Sequence, residues 1–208
     1  MSEFIDIDPK TRIIDHAEEK FLQHGFNKVT LDEMSSDLGI SKKTMYKFFP
    51  SKEELLRTMM RLLMKKVERD MKVIFETEQP TVQKLGNLMM YIGKFAGRFS
   101  KPFQIDIQRF TPTLWNEVDK FRNETILLRV GKMIQEAKQE GIFRDDVNEQ
   151  VVMMMFINSV QSIVNPEVLS RNSFSPREAL YTIFHVIFEG SLTEEARKEF
   201  KKYEILTD

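Results

Sequence analysis

Apolar residues recur every three or four positions along most of the chain, and this period constrains the fold more than any other feature. Residues 10–24 show it well, with five apolar side chains on one helical stripe: Ile13, Ile14, Ala17, Phe21 and Leu22. Prolines and glycines are few, seven and eight, and several of them separate such segments. No segment alternates convincingly with period two, and no hairpin dipeptide occurs. The sequence therefore predicts an all-α fold.

Four segments at the N-terminal end, three short and one long, carry recognisable helix boundaries. After the first stripe, Gly25 provides a stop, and Thr30 begins a second helix as an N-cap, with Glu33 three residues later as in a capping box. Gly39 ends that helix, Ser41 caps a third, and Pro50 closes it. Ser51 caps a long fourth helix that runs to about Glu76. Two short helices joined by about four residues around Gly39 form a helix-turn-helix.

The rest of the chain continues the helical period. The predicted segments are 81–98, 103–110, 112–140, 146–164, 175–189 and 193–203.

The third helix and its surroundings concentrate positive charge. Residues 38–52, "LGISKKTMYKFFPSK", hold four lysines and no acid, although the net charge of the chain is −1. Basic and hydroxyl side chains on an exposed helix suit the major groove of DNA, where phosphates fix the register and base edges give specificity. A basic helix that only faces solvent is the competing interpretation of the same pattern.

The stretch "FLQHGFNKVTLDEMSSDLGISKKTMYKFFPSKEELL" resembles the DNA-binding module of the TetR family of bacterial transcriptional regulators. The resemblance covers residues 10–56 and keeps about a dozen residue types in register without a gap, among them Leu-Gly-Ile-Ser, Thr-x-Tyr and Ser-Lys-Glu. Three positions depart from the family: Lys43 stands where a small residue is common, Phe48 stands where His or Tyr is common, and Ser35 replaces a common Ala.

The resemblance implies which residues meet DNA. Thr30 and Lys52 would contact phosphates, Lys42, Lys43 and Thr44 would lie at the groove, Tyr46 would reach the backbone, and Lys47 a base or phosphate. Ser41 is also predicted to meet DNA, because it caps the third helix and the free N–H groups at the start of that helix favour phosphate. The resemblance also implies a helix-turn-helix domain over residues 1–50 and an effector-binding and dimerisation domain over residues 51–208.

Other chemistry finds no support in the sequence. No glycine-rich phosphate loop, dinucleotide fingerprint or nucleophile elbow occurs, so no catalytic residue and no cofactor are predicted. The three histidines are scattered and cysteine is absent, so no metal site is predicted, and the cytoplasm is the expected compartment. No apolar run approaches the length of a membrane span, so no membrane partner is expected.

The C-terminal part is rich in methionine and phenylalanine, with 13 and 17 in the whole chain. Core packing and a subunit interface account for most of them, but adaptable Met and Phe side chains also suit a small-molecule cavity. An apolar effector pocket is predicted among nine residues: Met64, Met89, Phe99, Phe103, Phe110, Trp115, Met133, Met154 and Asn158. Segments 146–164 and 175–189 are apolar over more than one face, which predicts that they pair with their copies in a homodimer.

Two functions follow as hypotheses. The first is a homodimeric transcriptional regulator, expected to be a repressor that a small apolar effector releases from a double-stranded DNA operator. The second is a helical adaptor that binds other proteins and whose helix-turn-helix is structural only. In both cases the chain is expected not to be an enzyme.

Overall fold

A computed structural model describes residues 8–202, and within that range the chain forms α-helices and no strand. The one isolated β-bridge in the described range joins Phe143 to Leu192. The predicted all-α fold is therefore confirmed.

The bounds of the first four helices are α1 Pro9–His24, α2 Leu31–Asp37, α3 Lys42–Phe48 and α4 Lys52–Glu76. Helices α2, α3 and α4 begin after the N-cap residues that the sequence predicts. Side-chain oxygens of Thr30, Ser41 and Ser51 accept hydrogen bonds from the backbone N–H three residues ahead, which satisfies N–H groups that a helix start leaves free. The described part of the chain thus contains the helix-turn-helix that the sequence predicts.

The remaining helices follow the predicted segments with two differences. Their bounds are α5 Thr81–Ala96, α6 Lys101–Phe110, α7 Pro112–Phe121, α8 Leu128–Gln139, α9 Glu149–Ile163, α10 Pro166–Arg171, α11 Pro176–Phe184 and α12 Glu194–Phe200. A π-helical segment, Arg122–Leu127, joins α7 to α8, and another, His185–Glu189, extends α11. Helix α10 was not predicted, because Pro166 was interpreted only as a stop. Proline at a first helical position also starts a helix, here with Asn165 as the cap.

Two hydrophobic clusters organise the molecule. The N-terminal cluster joins α1, α2, α3 and the first three turns of α4 to Phe103 and Ile107 of α6 and Leu114 of α7. The C-terminal cluster joins Val67 and Met71 of α4 to α5, α8, α9, α11 and α12. Helix α4 contributes to both clusters, so the core of the N-terminal half extends well beyond residue 50.

Helix α6 packs closely on the loop between α1 and α2. Gly25 in this loop has φ 89° and ψ 159°, a conformation that only glycine adopts readily. A Cβ at Gly25 would lie 2.8 Å from Asp106 Oδ2 and 3.2 Å from Pro102 Cβ. The same Asp106 oxygen accepts a 2.8 Å hydrogen bond from the backbone N–H of Asn27. This contact ties the loop that precedes α2 to α6.

Replacing Gly25 with alanine is expected to destabilise the fold by about 3 kcal/mol, because backbone strain adds to the clash with α6. Gly39→Ala is the matched control. Gly39 has φ 65° and no atom within 4 Å of an added Cβ, so only the left-handed strain of about 1 kcal/mol applies. Urea unfolding of both variants checks the difference, and equal losses would contradict the close contact with Asp106.

Candidate nucleic-acid interface

Buried apolar residues fix the orientation of α3 against α2. Met34 of α2 and Met45 of α3 are fully buried in the N-terminal cluster, and Phe49 is 1% exposed. Gly39, at φ 65°, permits the bend between the two helices. The opposite face of α3 is consequently turned to solvent and carries Lys42, Lys43, Tyr46 and Lys47, all of them exposed.

The hydroxyl residues at the helix starts have local partners. Thr30 Oγ1 accepts from the N–H of Glu33 at 3.1 Å, and Ser41 Oγ accepts from the N–H of Thr44 at 3.0 Å. The hydroxyls of Ser41 and Thr44 also lie 2.8 Å apart. Thr30 and Ser41 are nevertheless exposed, and a hydroxyl that accepts through one lone pair still has its proton to donate. Thr44 is half-buried.

The three lysines of α3 differ in their surroundings. Lys42 Nζ lies 2.6 Å from Asp32 Oδ2, whereas Lys43 and Lys47 form no ion pair with any residue between 8 and 202. Tyr46 donates its hydroxyl proton to the other oxygen of Asp32 at 3.3 Å. The sequence did not single out Asp32, because an acid in the first turn of a helix is expected there for the helix dipole alone.

Lys52, for which the resemblance implied a phosphate contact, is bonded within the chain in this structure. Its ammonium group donates to the carbonyl oxygens of Phe26 at 2.9 Å, Asn27 at 3.2 Å and Val29 at 2.9 Å. The same nitrogen lies 4.5 Å from the centre of the Phe26 ring, and burial lowers the pKa of Lys52. Three acceptors match the three protons of an ammonium, so in this conformation Lys52 holds the α1–α2 loop.

Replacing Lys52 with methionine is expected to lower the free energy of unfolding by about 2 kcal/mol, because three carbonyl groups lose a charged donor. If Lys52 serves the loop, the salt dependence of DNA binding stays unchanged, whereas loss of a phosphate contact lowers the slope by about one unit. Lys65→Met, on an exposed position of the same helix, is the control for the substitution itself. If Lys52→Met leaves the stability unchanged and lowers the salt slope of DNA binding, Lys52 contacts a phosphate instead of holding the loop.

The nine residues predicted to line an effector pocket do not come together. Phe99, Phe103 and Trp115 pack in or against the N-terminal cluster. Met89 and Met133 are buried in the C-terminal cluster. The other residues lie at or near the surface: Phe110, Met154 and Asn158 are exposed, and Met64 is half-buried. Helical periodicity shows which side chains are apolar but not which helix each face meets, and the structure accordingly places the nine residues in separate parts of the molecule.

Two larger cavities lie elsewhere. One of about 590 Å³ lies at the joint between α1, α4 and the turn before α6, with polar and apolar walls that include Glu18, Leu62 and Arg98. The other, of about 460 Å³, is a groove between α8 and α9, with an apolar wall of Leu127, Leu128, Met153 and Ile157 and polar groups at Asn123, Lys132, Gln135 and Gln161. We refer to the latter as the α8–α9 groove. Met133 lines a smaller cleft of about 250 Å³ between α4 and α8.

Several large apolar side chains of α9 and α11 face outward. Val151 is 52%, Met154 59% and Met155 53% exposed on α9, and Val186 is 64% exposed in the π-helical extension of α11. The buried residues of the same segments, such as Val152, Phe156 and Phe188, fill the C-terminal cluster. Helix α9 is therefore apolar on two faces, one of which is uncovered in the single chain, and Val186 adds one exposed apolar side chain beyond the end of α11.

No helix among the described residues is long and apolar enough to cross a membrane. Within residues 8–202, no group of three or more His, Asp or Glu side chains is placed to hold a metal ion.

Comparison with known proteins gives the same picture of the N-terminal half and of the whole fold. Residues 13–59 match the family described as "Bacterial regulatory proteins, tetR family". The HTH-type transcriptional regulator YvaF of Bacillus subtilis (strain 168) is 26% identical over 188 residues, which cover 88% of this chain and 96% of YvaF.

Solved structures share the fold at low identity. The transcriptional regulator FadR from Bacillus subtilis, solved in complex with stearoyl-CoA, has a TM-score of 0.60 at 16% identity and covers 86% of this chain and 98% of its own. A transcriptional regulator from Saccharomonospora viridis in complex with choline has a TM-score of 0.67 at 15% identity, covering 89% of this chain and 97% of its own.

Proposed function

We propose that the chain is a member of the tetR family of bacterial regulatory proteins and acts as a homodimeric repressor that a small apolar effector releases from its operator. A regulator of this family binds DNA and is not an enzyme. The observation that carries the proposal is the exposed face of α3, where two lysines without ion partners in the described range flank Tyr46. The protein would act in the cytoplasm, where its operator lies.

Helix α3 enters the major groove in this proposal. Lys47 and Tyr46 read base edges, and Lys43 approaches phosphates. Lys42 lies at the groove paired with Asp32. The exposed hydroxyls of Thr30 and Ser41 donate to phosphates at the groove margins. Thr44 lies behind them and orients the start of α3 through its contact with Ser41. Lys52 stays with the α1–α2 loop and positions α2 rather than meeting DNA.

The outward face of α9 and α11 supports a homodimer. Three exposed apolar side chains within five residues of α9, at 151, 154 and 155, are typical of an interaction site. An isologous two-fold interface would bury them against their copies. Two copies would place two α3 helices on successive half-sites, which a single α3 helix cannot do.

Helices α4 and α6 supply the path between effector and DNA. Helix α4 begins at Lys52, beside α3, and its residues Val67 and Met71 lie in the C-terminal cluster. Arg57 of α4 is held to Glu117 of α7 at 3.0 Å and also donates to Thr113. Asp106 of α6 binds the N–H of Asn27. A shift of the C-terminal helices therefore has two routes to the orientation of α2 and α3.

The α8–α9 groove is the site that we propose for the effector, in place of the nine residues predicted from the sequence. Its volume of about 460 Å³ falls within the usual range for small-molecule sites, and its wall is mostly apolar with a few amide groups. Asn123 and Gln161 are already joined by a 2.8 Å hydrogen bond in the groove. The stearoyl-CoA complex of FadR from Bacillus subtilis is one reason to begin with acyl compounds.

The fluorescence of Trp115 allows effector binding to be tested without an added label. This residue is the sole tryptophan of the chain and packs against the N-terminal cluster beside the contact of α7 with α4. Titrating acyl compounds of increasing length is expected to change its emission, and the same compounds should release bound operator with matching midpoints. A coupling free energy of about 1–3 kcal/mol between effector binding and operator binding gives roughly 5- to 150-fold weaker operator binding.

Gly131→Leu gives the control, since an added Cβ would already lie 2.6 Å from Met153 Sδ in the groove wall. The variant should lose the response to acyl compounds and keep operator binding. A compound that changes Trp115 emission and leaves operator affinity untouched would refute the regulatory part of the proposal.

A further inference from the structure

Asp32 of α2 contacts two residues of the surface that α3 presents. Its Oδ2 lies 2.6 Å from Lys42 Nζ, and its Oδ1 accepts a 3.3 Å hydrogen bond from the hydroxyl of Tyr46. Lys42 and Tyr46 are four residues apart on α3 and so share one face of the helix. One carboxylate therefore bridges the first turn of α2 and two successive turns of α3.

The other acids of α2 do not reach α3. Asp37 lies 2.8 Å from Lys20 Nζ and 3.2 Å from His16 Nε2, both on α1. Glu33 is exposed and forms no ion pair within the described range. The hydrogen bond from Lys42 lowers the pKa of Asp32, and the same bond raises the pKa of Lys42, so both partners are charged at neutral pH.

We propose that Asp32 is a specificity-determining residue that suppresses binding to DNA of the wrong sequence. The inference rests on the DNA-binding function proposed above. Non-specific binding depends on lysines that neutralise phosphates and release counterions. A phosphate that approaches Lys42 also approaches the Asp32 carboxylate, so the pair offers much less positive charge than a free lysine. On DNA of any sequence, α3 then acts with two effective lysines, Lys43 and Lys47.

The bond to Tyr46 biases the same surface toward base edges. The phenol proton is donated to Asp32, which leaves the lone pairs of the hydroxyl oxygen to accept. A phosphate oxygen has no proton to donate, whereas the exocyclic amino groups of cytosine and adenine donate in the major groove. Asp32 thus discourages a phosphate contact by Tyr46 and favours a base contact.

The variant Asp32→Asn tests this inference because it keeps the shape of the side chain and removes its charge. With a short duplex of scrambled sequence, affinity is expected to rise about tenfold at ~50 mM salt, and the salt slope to steepen by about one unit. With the operator duplex the gain should be smaller, so the ratio of specific to non-specific affinity falls. Glu33→Gln is the control, since it makes the same charge change at the adjacent residue without a contact to α3.

A second pair of variants isolates the contact itself. Lys42→Gln should change the salt slope on scrambled DNA little when Asp32 is present, and lower it by about one unit when Asp32→Asn is also present. Equal slopes and affinities for Asp32→Asn and Glu33→Gln would overturn the inference, and so would an equal effect of Lys42→Gln in both backgrounds. If the unaltered protein binds its operator and these variants show no difference, only the role of Asp32 fails. If the unaltered protein binds no DNA fragment even at low salt, the proposed function fails as well.

Discussion

Replacing Val151 and Met155 together with glutamate is expected to give a folded monomer that no longer holds its operator. Both side chains are more than half exposed in the single chain, so the change should leave the C-terminal cluster intact. In a two-fold interface the four new carboxylates are brought into one buried surface, and their desolvation and mutual repulsion add to the lost apolar burial. Losing the second half-site should weaken operator binding by more than about 100-fold.

Sedimentation at micromolar concentration measures the oligomeric state directly. The double variant should sediment as a species of 24.6 kDa and the unaltered protein as twice that mass. Val73→Glu is the matched control, because Val73 is 68% exposed but lies on α4, away from α9 and α11. An unaltered protein that sediments only at 24.6 kDa would contradict the homodimer.

Replacing Lys47 with alanine is expected to cost about 1–3 kcal/mol of operator affinity and to relax the preference at one base position. Lys47 is exposed one turn after Lys43, and neither side chain has an ion partner in the described range that would need to be displaced. Lys43→Ala should instead weaken all sequences alike and lower the salt slope by about one unit.

Binding selections from a random-sequence pool separate the two effects. The Lys47→Ala selection should lose information at a single position, and the Lys43→Ala selection should keep its consensus. Lys65→Ala on α4 controls for the loss of an exposed lysine outside this surface. Unchanged operator affinity in both α3 variants would remove α3 from the recognition surface.

Much of the exposed face of α3 could be predicted from the sequence, because it depends on residues that are close together in the chain. A cap needs one hydroxyl residue and the N–H three residues later, and the caps at Thr30, Ser41 and Ser51 are found as predicted. The apolar period placed Met45 and Phe49 inside, and this leaves Lys43, Tyr46 and Lys47 outside. Local patterns therefore gave both the helices and the exposed face of α3.

What could not be predicted depends on pairs of residues distant in sequence. Lys52 meets carbonyl groups 23 to 26 residues earlier, and Asp32 meets Lys42 across the helix-turn-helix. Neither contact leaves a periodic signal, and each changes what a lysine can offer to DNA. The nine residues predicted for the effector pocket lie apart for a related reason, since the arrangement of α5 to α9 decides which apolar faces meet.

The claim that α3 recognises DNA is tested most directly by gel retardation. The DNA is taken from the region that flanks the gene of this protein, and the salt concentration is varied. We predict specific retardation of a fragment from that region. The logarithm of the affinity should fall linearly with the logarithm of the salt concentration, with a slope of about 0.9 for each phosphate contacted. Competition by scrambled DNA should require a large excess, and Lys47→Ala should reduce that excess. If no genomic fragment is retarded at low salt, α3 is not a DNA-reading helix, and the helix-turn-helix is a structural element of a protein that binds other proteins.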